Sequence, residues 1–239
     1  MRRNCAQRRL GKGMKRLGEC RKPLVGNPPR GQQLVEYSPS SAYGRRKGQV
    51  MAIGKGVVTG HFIAHWGVPN ELYPRYARGS REFAILEFAP RPPRTKWRYA
   101  TNGMSSYIQP HPDGNIHVRT ELYASSSRRA EWILDLLTAM ASYPIDVGTF
   151  FAEGDTIDVG GPIDQNTSCF TGILLAPPVP LSLGVVGGLV EKILVHQVVG
   201  LVQAEIDFAA GHEGAGALIW KKLITKGELP LDEIRSSVV

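Results

Sequence analysis

Cysteine is scarce in this chain. There are three in 239 residues, and only Cys169 lies beyond residue 20. No disulfide can therefore close within residues 51–239, which suits a reducing compartment. A clean apolar run of membrane length is missing too. Cys169–Val190 carries no charged residue, but Pro177, Pro178 and Pro180 interrupt it, and Gly184, Gly187 and Gly188 follow. A helix crossing a bilayer there would lose several backbone bonds, so the segment reads as buried strands joined by a proline-rich connection. Acidic residues are nearly absent from the first fifty positions, which hold 13 Lys/Arg against 2 Asp/Glu, a net of +11. The other 16 basic and 19 acidic residues give residues 51–239 a net of −3, so the formal +8 of the whole chain belongs to its first fifty residues. Finally, no apolar stretch of about 7–15 residues follows Arg2, Arg3, Arg8 and Arg9, as a secretory signal would require, and the expected location is cytoplasmic.

Residues 1–50 lack hydrophobic periodicity and contain Pro28-Pro29 and a Ser38–Ser41 cluster. They bury too little apolar surface to offset chain entropy and are expected to be a disordered basic tail. Such a tail touches nucleic acid or acidic lipid, or is a passive extension. Met51 opens a globular composition, so the folded domain is expected over residues 51–235, with Met51 a candidate start.

The body patterns as one α/β unit of the α+β kind. Val57–Gly67 has a roughly helical apolar period. Glu82–Pro90 reads as a strand, Arg91–Lys96 as a loop, Trp97–Gly103 as a strand entering an Asn102-Gly103 turn, and His117–Ser125 as a third strand. The clearest helix is expected over Arg128–Tyr143. There Ile133, Leu136, Leu137, Met140 and Ala141 form one stripe, Ser125–Ser127 stand before the start, and Pro144 is the expected stop. "FTGILLAPP" and "VEKILVHQVVGL" read as further strands, and helical segments close the chain near Gln203–Gly211 and Gly214–Lys222.

Several residue groups suggest chemistry. Ser105 follows a sharp turn, as a hydrolase nucleophile does, but the G-x-S-x-G elbow lacks its second glycine and no helix follows. A turn role is the stronger reading. His61 and His65 share a helix face, yet Phe62 stands where a zinc protease needs Glu, and no third ligand has a fixed spacing. Gly184, Gly187 and Gly188 do not make the dinucleotide fingerprint. Glu153, Asp155, Asp158 and Asp164 admit three readings: a cation site, a solvated loop, or an acidic rim for a basic partner. No metal, cofactor or catalytic constellation is expected.

In order, "KWRYATNGMSS", "ELYA", "EWILDLLTAMASY", "FFAEGDTI", "GILLAPP" and "VHQVVGLVQAEIDFAAGHEGAGALIWKKL" resemble the suppressor of fused (SUFU) family over roughly Val57–Leu229. The resemblance implies a mixed, mainly antiparallel sheet flanked by helices, and a protein-binding module without enzymatic activity. It further implies a bacterial, single-domain member acting as an immunity protein against a toxin; the alternative is a regulator of a transcription factor or nucleic-acid-associated partner, aided by the basic tail. In animal members an aromatic at the end of the main helix and an aspartate in the next loop hold a peptide as an added strand. Those positions fall on Tyr143, read either as a half-exposed partner contact or as a plain core residue at the helix end, and on Asp155, with Glu153 and Asp158 beside them. Trp97, Tyr99, Gly103 and Ser105 match the family's recurring stretch as architecture: aromatics packed beside the turn, Gly103 at positive φ, and Ser105 bonded to local backbone.

Overall fold

The computed structural model describes residues 53–77, 81–111, 118–166, 168–187, 192–226 and 229–239. The expectations for residues 1–50, for a start at Met51, and for His117 and Gly188 lie outside them. Eight strands form one sheet: β1 (Glu71–Ala77), β2 (Arg81–Phe88), β3 (Trp97–Asn102), β4 (Thr120–Ser126), β5 (Thr156–Asp158), β6 (Phe170–Ala176), β7 (Val185–Gly187) and β8 (Lys192–Val202). Their order is β1-β2-β3-β4-β8-β6-β5, with β7 also on β8. Only β4 and β8 pair in parallel, in the register Leu122↔His196. The sheet is therefore mixed and mainly antiparallel, as the family resemblance implied.

Alternation along the strands assigns the two faces. Ile85, Leu122, Ile173 and Val198 point to the face covered by α2 (Trp132–Val147). Leu86, Tyr123 and Val195 point the other way, beneath Val58, Phe62 and Trp66 of α1 (Ile53–Trp66). On that second face, Leu174, Val199 and Leu201 pack under α3 (Gln203–Gly211) and α4 (Ala215–Leu223). The α2 stripe, Ile133, Leu136, Leu137, Met140 and Ala141, is buried as its period required. Each of its larger side chains contributes about 1.5–3 kcal/mol of apolar burial.

Both ends of α2 differ from the expectation. Ser125 and Ser126 belong to β4, and Ser127 bonds Asp232 through its N (2.7 Å) and hydroxyl (2.6 Å), so no serine caps the helix. The helix entry is held instead by the buried Tyr99 hydroxyl, which accepts from Ala130 N at 2.8 Å. Burial pushes the Tyr99 hydroxyl up to about 12. Pro144 does not stop the helix. It sits in the last turn, and Gly148 ends the helix at φ 66, its N–H bonded back to the Pro144 carbonyl. Proline forfeits one backbone bond there, but a left-handed glycine supplies the termination.

Two strands escaped the pattern reading. β1 carries Pro74 in the middle, a residue that an edge strand tolerates where a central strand does not. β5 is three residues long, polar at two of them, and was expected to be loop. These two strands stand at the two ends of the main strand order.

Candidate partner-binding site

The turn motif is built around a carboxylate. Glu121 is fully buried, and its Oε1 accepts from Gly103 N (2.9 Å), Ser105 N (3.0 Å) and Ser105 Oγ (2.7 Å). Its Oε2 accepts from Thr101 Oγ1 at 2.6 Å. Gly103 stands at φ 105, which an L side chain rarely adopts, and this conformation lets two backbone N–H groups converge on one oxygen. Burial pushes the Glu121 carboxyl above its ordinary value, and the four donors pull it back. Ser105 is 6 % exposed and gives its hydroxyl proton to Glu121. Its partner is thus a side chain sixteen residues away, not the local backbone; it is Ser106 Oγ that bonds locally, to the Gly103 carbonyl at 2.7 Å. A serine so enclosed does not present a nucleophile to substrate. Trp97 is half-buried at the other end of β3, with the Arg129 guanidinium 5.9 Å from its ring centroid. Sequence reasoning placed "ELYA" in the motif but missed the role of Glu121. The signal was present in the cluster of small hydroxyl and glycine donors, which needs an acceptor.

The histidine pair is structural. His61 Nε2 lies 3.1 Å from the Leu183 carbonyl, and the two rings meet edge-on at 5.0 Å. Burial, with His61 nearby, lowers the pKa of His65. Among the described residues, no group of three or more His, Cys, Asp or Glu is placed to hold a metal ion.

The acidic loop is organised by its own backbone. Asp155 Oδ2 accepts from Ala152 N (2.9 Å), and Asp158 Oδ1 accepts from Gly160 N (2.8 Å). Asp164 Oδ1 accepts from Asn166 N and Ser168 N, both at 2.9 Å. Asp158 and Asp164 form Asx-type turns, bonding the N–H two residues on, while Asp155 reaches back three residues. The loop rests on the first turn of α4: a Cβ added to Gly216 would stand 1.9 Å from the Gly154 carbonyl oxygen, so only glycine permits the contact. Glu153 projects into solvent, while Asp155 and Asp158 are half-buried.

Of the two readings of Tyr143, the structure has the core residue at the helix end. It is 7 % exposed, belongs to the main core cluster, and stacks on Phe151 with centroids 5.9 Å apart and planes 8° from parallel. Tyr143 lies on the buried side of α2, three residues after Met140 of the stripe, while Asp146 and Val147 in the last turn are exposed. Phe151 belongs to the segment that leads from α2 into β5, so this stack ties that segment to the helix.

The backbone of β5 is the open feature of this region. Leu175 N donates to the Asp155 carbonyl (2.9 Å) and Val159 N to the Thr171 carbonyl (3.0 Å). With Thr156↔Leu174 and Asp158↔Gly172 in register, residues 155, 157 and 159 point their polar backbone at β6. Antiparallel alternation turns the N–H and C=O groups of Thr156 and Asp158 the other way, along an edge that no strand among the described residues covers.

Residues 79–232 match the family model described as suppressor of fused protein (SUFU). Solved structures agree in fold. A protein described as a SUFU homologue from Neisseria gonorrhoeae FA 1090 aligns with a TM-score of 0.58 at 18% identity, covering 78% of this chain and 97% of that one. A chain of the Sufu–Fu complex aligns equally well, at 18% identity over 77% of this chain and 91% of its own. Drosophila Suppressor of Fused aligns with a TM-score of 0.54 at 17% identity, over 77% of this chain but 51% of its own length. No curated protein matches the chain. The family model spans well over half of the sequence, and it includes the Gly103–Glu121 turn and the β5 edge: the chain belongs to the suppressor of fused family.

Proposed function

We infer that this protein is a binding module that receives an extended peptide segment of a protein partner along the free edge of β5. The observation that carries this reading is the outward pair of Thr156 and Asp158, which offers two donors and two acceptors in strand geometry. Strand addition supplies affinity through main-chain bonds, and neighbouring side chains supply selection. Glu153, Asp155 and Asp158 give the edge an acidic surround that favours a partner segment carrying Lys, Arg or His. Tyr143, stacked on Phe151, acts as support for this edge and not as a contact. The existence of a Sufu–Fu complex for a structural neighbour is consistent with a protein partner.

The biological role we propose is that of a bacterial cytoplasmic immunity protein, with residues 51–235 as the folded unit, neutralising a toxin by occlusion and using no cofactor. Among the described residues no helix is long and apolar enough to cross a membrane. The body's net −3 suits a basic partner better than nucleic acid, which only the first fifty residues would attract. The decisive test is Thr156→Pro. It removes an outward N–H without touching the pairing to β6, as an edge position allows. Co-expressed with toxin domains encoded beside its gene, the wild-type chain should restore growth and co-purify with one of them. The folded Thr156→Pro chain should lose at least about tenfold in affinity. Full binding by that variant would remove the edge from the proposal, and the lack of any captured toxin would remove the immunity role.

A further inference from the structure

The segment Leu229–Val239 crosses the end of the sheet where β6 and β8 meet α3. Its first half is anchored: Leu231 is fully buried, its N donates to the Ser125 carbonyl (2.8 Å), and Asp232 holds Ser127. Beyond Asp232 the segment lies on the surface, with Ile234 88 % exposed. One charged side chain dives inward. Arg235, 10 % exposed, meets the wholly buried Glu205 in a two-bond fork, Nη1 to Oε1 at 2.6 Å and Nη2 to Oε2 at 2.7 Å. Nη2 also donates to the Gly200 carbonyl (2.7 Å), and the guanidinium carbon stands 5.3 Å from the Phe170 ring centroid. A Cβ on Gly200 would enter the Phe170 ring at 2.6 Å, so the bare backbone at Gly200 is what lets this ring lie in place. Val238 N adds a bond to Glu205 Oε1 at 3.0 Å, and Lys222 Nζ ties the Val238 carbonyl at 2.8 Å.

A carboxylate fork, a carbonyl and an aromatic face together match a guanidinium group, and the two-bond fork favours it over an ammonium. All three belong to the body of the domain: to α3, β8 and β6. Only the guanidinium comes from the strap. We propose that Glu205, Gly200 and Phe170 form an arginine-peptide receptor that the strap occupies as a resident ligand, and that an extended, arginine-bearing segment of a protein partner takes the seat when the strap lifts beyond Asp232. This seat lies on β6, β8 and α3, apart from the free edge of β5, and does not depend on that edge being used.

The test uses the full-length chain and two probes: N-ethylguanidinium chloride, and the peptide LDEIRSSVV, which is residues 231–239 of the strap. Arg235→Ala should melt at lower temperature. N-ethylguanidinium at about 10 mM should recover most of the loss, a concentration suited to millimolar affinity, while ethylammonium at the same ionic strength should recover none. The peptide should bind Arg235→Ala at least about tenfold more tightly than its Arg-to-Lys version, and should not bind the wild-type chain, whose seat is filled. In the wild-type chain, N-ethylguanidinium should also speed hydrogen exchange at the Val238 amide while leaving the Leu122 amide unchanged. That measurement stands even if Arg235→Ala fails to fold. The proposal is overturned if neither probe restores or binds the folded variant, if the lysine peptide binds as well, or if Val238 exchange is indifferent to N-ethylguanidinium.

Discussion

Two carboxylates, Glu121 and Glu205, are both 0 % exposed, and the fold satisfies them in opposite ways. Glu121 is held by neutral donors from a single turn, residues 101 to 105. Glu205 takes a full countercharge from Arg235, thirty residues on, together with the backbone N–H groups of Val202 and Val238. A charge held by neutral dipoles is bound to the local chain conformation; a charge held by an arginine is bound to whatever carries the arginine. The first arrangement locks the turn. The second makes closure of a whole segment depend on one side chain.

Breaking Glu121 is expected to have the largest effect. Glu121→Ala would leave four buried donors unpaired and open a cavity, a loss of about 4 kcal/mol at roughly 1 kcal/mol per orphaned donor; chemical denaturation should report it. Glu121→Gln sharpens the comparison. The amide oxygen can keep the three Oε1 bonds, while its NH2 meets the Thr101 hydroxyl, so a loss of about 1–2 kcal/mol is expected. If the two variants were equally unstable, the charge, not the acceptor count, would hold the turn.

A smaller effect of the same kind comes from a third buried ionisable group. His196 on β8 is 4 % exposed, and burial lowers its pKa to about 4. The fold therefore prefers the neutral ring. The stability this represents is fully present above the unfolded pKa of about 6.5, and declines as pH falls toward 4. The decline is at most about 3 kcal/mol. His196→Gln should flatten the pH–stability profile over that window; an unchanged profile would mean that another group carries it. The smallest effect is Ser105→Ala, which removes one of four bonds to Glu121 and should cost about 1 kcal/mol by thermal unfolding.

The sequence displayed what repeats along one element and hid what joins distant ones. The α2 stripe, α1, β6 and β8 were legible because burial on one face imposes a period. Gly103 was legible because an Asn-Gly pair has a steric reason to turn. The Pro144 stop was misread because termination fell to Gly148, four residues later. β5 was missed because three residues cannot show alternation, and β1 because its proline is acceptable only at an edge, which the sequence does not declare. Tyr143 was legible as a helix-end residue but open between core and surface, since which way that residue faces depends on the sheet below it. The Arg235–Glu205 fork had no local signal: neither residue has a pattern that points thirty positions away.

The single parallel pairing, β4 with β8, also governs when the molecule can exist. β1 to β4 follow one another as hairpin-like neighbours and can zip as they are made. The middle of the finished sheet, however, is β8, which bridges β4, β6 and β7. Leu122 waits for His196, and at about 5–20 residues per second of synthesis that interval lasts about 4–15 s. During it the flank of β4 that will receive β8 has no strand beside it. For several seconds of each lifetime the interior of the sheet is an edge, and that is the interval in which an aggregating neighbour or a chaperone would meet this protein.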